Sequence, residues 1–197
     1  MYRTGTSAVS AAAVACLLVA SAFNTAGAPR AQEKEKSERE YYQAQAYGTS
    51  TQMGRTVNVS ITINSYSTPD DQKALLKAFN EKGMEGMTKL LNKMKSKGRL
   101  AITGTLGYDL SYIRSFKTEQ GRKLRMVTSR PITFAENYQG TRSTEYSLSA
   151  VELNLNDEES KSTGTLLPLC KLKMNKQNEL EIEAYQNPWD LRNIMKR

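Results

Sequence analysis

Arg114 is the side chain whose placement most demands a chemical explanation. Alternation along the chain puts it on one sheet face with Leu110, Tyr112, Phe116, Leu124 and Met126. A guanidinium aimed at an apolar, aromatic interior needs an anion, a carboxylate or water for its five donors. With the hydroxyls of Tyr108 and Tyr112 beside it, the pattern describes an apolar cavity that holds a small acidic or amphipathic ligand by one fixed cation. The competing reading is an arginine at the end of a sheet that snorkels to solvent or pairs with an internal glutamate.

A second pattern is basic. Lys89, Lys93 and Lys97 recur every four residues, with Lys95 and Arg99 nearby, opposite Met87, Leu90, Leu91 and Met94. Such a helix face suits an anionic lipid or polymer of a cell envelope. The same spacing arises when a surface helix buries its Met/Leu stripe and leaves its lysines in water.

Other chemistry is restricted by composition. The chain has no histidine, which removes Ser-His-Asp and Cys-His nucleophile systems and His-ligated zinc. Cys170 shares its strand face with Leu172 and Met174 and reads as a small buried hydrophobe. Glu136, Glu145 and Glu152 are the acids from which a hydrolase would draw a carboxylate pair, but no spacing makes any two converge. Asn154, Asn156, Asp157, Glu158 and Glu159 gather oxygen atoms without the order or central glycine of a calcium loop, so a polar hairpin loop is expected and no metal site. Gly104-Thr105-Leu106-Gly107 falls between two predicted strands, where a β-turn is expected and a phosphate loop is not. No cofactor motif and no nucleic-acid-binding module is recognisable.

The elements that must carry these residues follow an amino-terminal export signal. Arg3 precedes an apolar run from Ala8 to Phe23, no acid occurs before Gln32, and the run is shorter than the ~20 residues of a spanning helix. Residues 1–31 are read as a signal peptide cleaved near 27–31, after which no transmembrane span is expected. Its loss removes Arg3 and Arg30 and lowers the net charge of +8 by two. Residues 32–40 form a charged leader and 41–197 a single domain, placed in the periplasm or outside the cell.

Within that domain Val57, Val59, Ile61 and Ile63 alternate with polar residues, the period of a half-buried strand. Residues 41–50 pair with it across Thr51-Gln52-Met53-Gly54. Thr68-Pro69-Asp70-Asp71 then carries a helix start: a capping hydroxyl, proline in the first turn and carboxylates near the positive end of the dipole. Gly83 and Gly86 interrupt the apolar stripe that follows, so the element is a kinked helix or helical hairpin, ending near Lys97 with Gly98 as its stop.

The remainder reads as strands. A three-residue turn at Glu119-Gln120-Gly121 would pair Phe116 with Leu124, and a turn at Lys176-Gln177-Asn178 would pair Leu172 with Ile182 and set Lys171 against Glu183. A change of apolar parity between Leu148 and Val151 marks a bulge near Ser149. Asn187-Pro188-Trp189-Asp190 reads as the start of a short terminal helix. The expected fold is α+β: a mainly antiparallel sheet of about seven or eight strands, curved or barrel-like, with the kinked helix inserted after the second strand.

The chain resembles a family of short exported bacterial proteins without an established function. The resemblance covers nearly all of the mature chain, through Ile102-Thr103-Gly104-Thr105-Leu106-Gly107-Tyr108-Asp109-Leu110, Ser129-Arg130-Pro131-Ile132 and Asn187-Pro188-Trp189. It implies export and assigns no functional residue. The function expected from the residues is non-catalytic binding of a small acidic or amphipathic ligand. An envelope-associated structural role through the basic helix, and a carboxylate hydrolase, are the alternatives.

Overall fold

The β-branched run that alternates from Val57 forms β2 (Thr56–Ile63), paired antiparallel with β1 (Glu40–Gly48) through a 3-10 turn at Ser50–Gln52. The computed structural model describes residues 39–132, 147–174, 180–184 and 187–197. The proposed signal, the leader before Arg39, Glu136, Glu145 and the turn at 176–178 lie outside the described residues. After β2 come α1 (Pro69–Lys93), β3 (Gly98–Ile102), β4 (Tyr108–Thr118), β5 (Gly121–Thr128), β6 (Leu148–Asn156), β7 (Thr163–Met174), β8 (Leu180–Ala184) and β9 (Trp189–Lys196).

Every pairing is antiparallel. The order β6-β5-β4-β3-β2-β1-β9-β7 returns to β6, so eight strands close a barrel. β9 takes the free edge of β7 along Gly164–Leu166, and β8 extends the same edge along Cys170–Met174. Closure removes the open edges of an eight-stranded sheet and with them a route to edge-to-edge aggregation, while β8 is paired on one side only among the described residues.

The barrel interior is apolar. Tyr42, Ala44, Val59, Ile61, Ile63, Leu100, Leu110, Ile113, Leu124, Met126, Val151, Leu153 and Trp189 belong to one buried cluster. A second cluster lies outside the barrel wall, where Leu75, Met87 and Leu91 of α1 cover Tyr112, Val127, Leu148, Ala150, Cys170 and Leu172. The helix is therefore a lid on the outer face of β4 to β7.

α1 begins with a reciprocal cap: Asp71 N donates to Thr68 Oγ1 at 3.1 Å and Thr68 N donates to Asp71 Oδ2 at 2.8 Å. Its kink lies at Lys82 and Gly83, the latter at φ +57°. Gly86 completes it, because a Cβ there would stand 2.6 Å from Ala78 O. The helix stops at Lys93, not near Lys97. Lys97 already bonds as sheet: its N–H donates to Leu110 O and its carbonyl accepts from Asn64 N, so Gly98 opens β3 and does not act as a helix stop.

Two further expectations are corrected. The β4–β5 hairpin turns on Glu119 and Gln120 alone, pairing Thr118 with Gly121 and Phe116 with Lys123, one residue away from the expected register. The terminal segment is strand β9, not helix. Pairing to β1 and β7 overrides the helix-start signal, and a bulge at Asn193 explains the misreading. It separates inward-facing Leu191 and Ile194 by three residues, a spacing that imitates a helix. The expected register of β7 and β8 is observed, with Leu172 opposite Ile182 and Lys171 opposite Glu183.

The bulge near Ser149 is present as a register shift between Leu148 and Ala150. Its polar groups are satisfied internally. Ser149 Oγ donates to Pro168 O at 2.5 Å, Ser149 N donates to Thr128 Oγ1 at 3.1 Å, and Ile132 N donates to Pro168 O at 3.2 Å. Pro168, which has no N–H to give, is accommodated in β7 beside this break in the ladder.

Candidate functional site

A second bulge decides where Arg114 points. β4 gains one residue between Leu110 and Tyr112, so the apolar phase passes to Ile113, which joins the barrel interior. Tyr112, Arg114 and Phe116 then face outward, and the expected interior position of Arg114 is overturned. Arg114 Nη1 donates to Gln72 Oε1 of α1, and its guanidinium lies 5.1 Å from the Phe116 ring centroid. Beside it Glu152 Oε1 accepts from Arg125 Nε at 2.5 Å, and Glu152 Oε2 lies 2.9 Å from Lys123 Nζ. Burial raises the Glu152 pKa, but these cations outweigh it and hold the carboxyl below the usual range. Tyr112 is sealed under α1, its phenol pushed up chiefly by burial. Tyr108 remains on the interior side, buried under the Arg130 guanidinium at 5.0 Å.

The basic stripe also divides. Lys89 pairs with Glu85 at 2.5 Å on the helix surface. Lys97 lies beyond the helix end and reaches Asp71 at 3.0 Å, with only 15% of its side chain exposed. Lys93 stands in the last helical turn. Cys170 is fully buried and its thiol is pushed up to about 12 by desolvation, away from nucleophilic character. In the β6–β7 loop Glu158 is taken by Lys161 at 2.6 Å, and Glu159 Oε1 accepts from Lys196 N at 2.7 Å.

The ionic centre of the barrel is one that alternation also marks. Glu40 is in phase with Tyr42, Ala44 and Ala46, and Arg122 with Leu124 and Met126, so both charges face the interior at one mouth. Glu40 is 8% exposed. Its carboxylate accepts from Tyr42 OH at 2.5 Å, from Tyr66 OH at 2.6 Å and from both terminal nitrogens of Arg122. Burial works to raise the Glu40 pKa, yet the donors prevail and lower it from 4.5 to about 2. Burial and donation to Glu40 push the Tyr66 phenol up to about 12. The network plugs one mouth, leaving above Arg122 a recess of about 500 Å³ that Lys117, Asp157, Ser162 and Lys196 also line.

The larger concavity is on the outside. An open-sided groove of about 1020 Å³ crosses β9, β1, β2 and β3, from Glu159 and Ser160 at one end to Gly104 and Thr105 at the other. The strand alternation that turns Tyr42 and Ala44 inward turns Tyr41, Gln43 and Gln45 out into it, and Asn58 and Ser60 stand opposite Gln45 and Gln43 on β2. Asn193, left-handed at φ +52° in the β9 bulge, adds a fourth amide. Asparagine tolerates that backbone, and the bulge re-aims its side chain across to β1.

These groups are ordered by one another. Gln45 Oε1 accepts from Asn193 Nδ2 at 2.8 Å and from Tyr47 OH at 2.9 Å. Gln43 Oε1 accepts from Arg197 Nε at 3.2 Å, while Gln43 Nε2 donates to Tyr41 OH at 3.3 Å. Both oxygen atoms are thus engaged within the protein and the Gln45 Nε2 hydrogens are left for a ligand. None of Arg114, Tyr108, Tyr112, Lys89, Lys93 and Lys97 lines this groove or the barrel mouth. Sequence reasoning missed the groove because a row of Gln, Asn and Ser on alternate positions is also what a solvated sheet face looks like. Among the described residues no group of three or more acids or cysteines is arranged to hold a metal ion. Comparison with known proteins finds no matching family model, no matching curated protein and no matching solved structure.

Proposed function

We propose that the chain is an exported, non-catalytic binding protein whose ligand lies in the groove outside β9, β1, β2 and β3. The observation that carries this is the side-chain ladder Asn193–Gln45–Tyr47 and Arg197–Gln43–Tyr41, which holds polar groups in place before any ligand arrives. Preordered donors and acceptors lower the entropy cost of binding, and a solvated face has no need of such order. Export rests on the signal-like order of Arg3, the apolar run Ala8 to Phe23 and the small residues near Gly27. The interior site at Arg114 is replaced in this reading, since that guanidinium is already matched to Gln72 and Phe116.

The test is a thermal-shift screen of fatty acids, acidic metabolites, anionic polymers and oligosaccharides against the native protein, Ser60→Trp and Arg114→Leu. A ligand specific for the folded state at 100 times its Kd stabilises by about 2.7 kcal/mol, a clear shift for a domain of this size. The expected result is a shift retained by Arg114→Leu and lost in Ser60→Trp, whose indole fills the groove. A shift that survives Ser60→Trp and disappears with Arg114→Leu would overturn the proposal.

A further inference from the structure

We infer that the ligand of this groove is a neutral glycan chain, an inference that rests on the groove being the binding site. The first observation is charge. In a protein with 24% charged residues, Glu159 is the one charged side chain among the described residues lining the groove. Its Oε1 already accepts from Lys196 N. Arg197 and Arg192 stand at the border, the first bound to Gln43 and the second stacked 5.3 Å from the Tyr47 ring centroid. An acidic ligand would therefore find no uncommitted cation in the lining. Ala101, Ile194 and Met195 add apolar surface, but the amides of Gln43, Gln45, Asn58 and Asn193 interrupt it and would lose water to a fatty chain without a hydrogen bond in return.

The second observation is the kind of hydrogen-bonding group present. Gln43, Gln45, Asn58 and Asn193 are amides, and Ser60 and Thr103 are hydroxyls, so the lining both donates and accepts. Sugar hydroxyls do the same, and the unengaged Asn58 amide can meet a vicinal hydroxyl pair with a donor and an acceptor together, while Gln45 Nε2 offers a further donor. Tyr41 supplies an aromatic surface at one side, suited to the apolar face of a sugar ring. Among the described residues the side chains of Asn58 and Ser60 have no hydrogen-bond partner, and they face the ordered Gln45 and Gln43 across the strand pair. The ligand thus meets a firm row and an unengaged row side by side.

Topology and length complete the argument. β9, β1, β2 and β3 are each paired on both sides, so a peptide cannot join the sheet as an added strand. Four strands at about 4.8 Å spacing give the groove floor a width of about 14 Å between the outer strand axes. An open-sided trough of that length accommodates a stretch of polymer and would leave a monosaccharide largely in water.

The experiment uses the full chain and four neutral probes, cellohexaose, xylohexaose, maltohexaose and mannohexaose, with polygalacturonate and hyaluronan as anionic counterparts. Titration is followed by thermal shift and by saturation-transfer NMR at low and high salt. At least one neutral hexasaccharide is expected to bind with an affinity unchanged by salt. That affinity should fall about tenfold in Gln45→Ala and in Asn58→Ala, a loss of about 1.4 kcal/mol each, within the range of net hydrogen-bond contributions, and hold in Arg114→Leu. The melting temperature of each variant without sugar verifies folding. Binding of only the anionic polymers, fatty acids or acidic metabolites, abolished by Ser60→Trp, overturns the glycan inference and keeps the groove as the site. Failure of every probe to distinguish Ser60→Trp from the native protein overturns both.

Discussion

The outer wall of this barrel has two faces built by the same alternation and treated in opposite ways. On β4 to β7 the outward positions include the apolar set Tyr112, Val127, Leu148, Ala150, Cys170 and Leu172, and α1 seals these with Leu75, Met87 and Leu91, all three fully buried. On β9, β1, β2 and β3 the outward positions that line the groove are mainly amides, hydroxyls and Tyr41, with Ala101 and Met195 among them, and among the described residues no element covers them. The lesson is that a sheet face acquires a cover when leaving it wet is costly. A face of Gln, Asn and Ser has no such cost, so its ordering by mutual hydrogen bonds calls for another explanation. We read the covered face as stability and the open face as binding.

The comparison can be broken by substitutions that respect neither assignment. The largest effect should come from the covered face: Leu91→Ala is expected to lower unfolding free energy by about 3 kcal/mol through lost burial and a residual cavity. Equilibrium urea unfolding checks this. An equal loss from Gln45→Ala would erase the distinction between the faces.

Next in size is the mouth that the two faces share. Arg122→Met removes the nearest cation from Glu40, leaving Tyr42, Tyr66 and the more distant Lys196, and should cost about 2 to 3 kcal/mol, less than a fully buried pair because part of Arg122 reaches solvent. Its pH signature is specific. Glu40 has a folded pKa of about 2 against a usual 4.5, so its contribution is present above about pH 4.5 and is lost as pH falls towards about pH 2. Urea midpoints measured down this range should decline in the native protein and decline less in Arg122→Met.

A smaller loss is expected from Gly86→Ala, about 1 to 2 kcal/mol, because the added methyl meets Ala78 O and forces the two halves of α1 apart. Differential scanning calorimetry would show it as a lowered melting temperature, with the groove face still able to bind ligand. The smallest effect on stability should be that of Gln45→Ala, within about 0.5 kcal/mol as for other solvent-facing positions. Its signature is instead the loss of ligand affinity read by titration, which sharpens the contrast from the other side.

How much of this was legible varied with the length of unbroken alternation. β2 could be read directly, since Val59, Ile61 and Ile63 keep one parity over the whole strand. The β7–β8 register followed from alternation, which set Leu172 opposite Ile182 and brought Lys171 to Glu183 and Lys173 to Glu181 on the other face. Arg114 was misplaced by the extra residue at Ser111, because one inserted residue exchanges the faces of everything beyond it. The bulge at Ser149 was visible as a parity change between large apolar residues. The one at Ser111 left its trace only in Ile113, which a run of Leu110, Tyr112 and Phe116 outweighed.

From sequence alone came the elements that depend on neighbours in the chain. The Thr68–Asp71 cap, the kink at Gly83 and the alternation of β2 rest on contacts within a few residues, where side-chain type suffices to settle backbone conformation. Tertiary structure alone decided three matters: that Trp189 to Lys196 is the strand closing the barrel, that Arg114 stands outside it, and that four amides from β1, β2 and β9 share one groove. Each depends on which strand lies beside which, and Gln45 gains its ordered role only when Asn193, far along the chain, arrives in a bulge opposite it. Pairing across such a separation is set by the summed burial and hydrogen bonding of the whole barrel, which no local stretch of sequence carries.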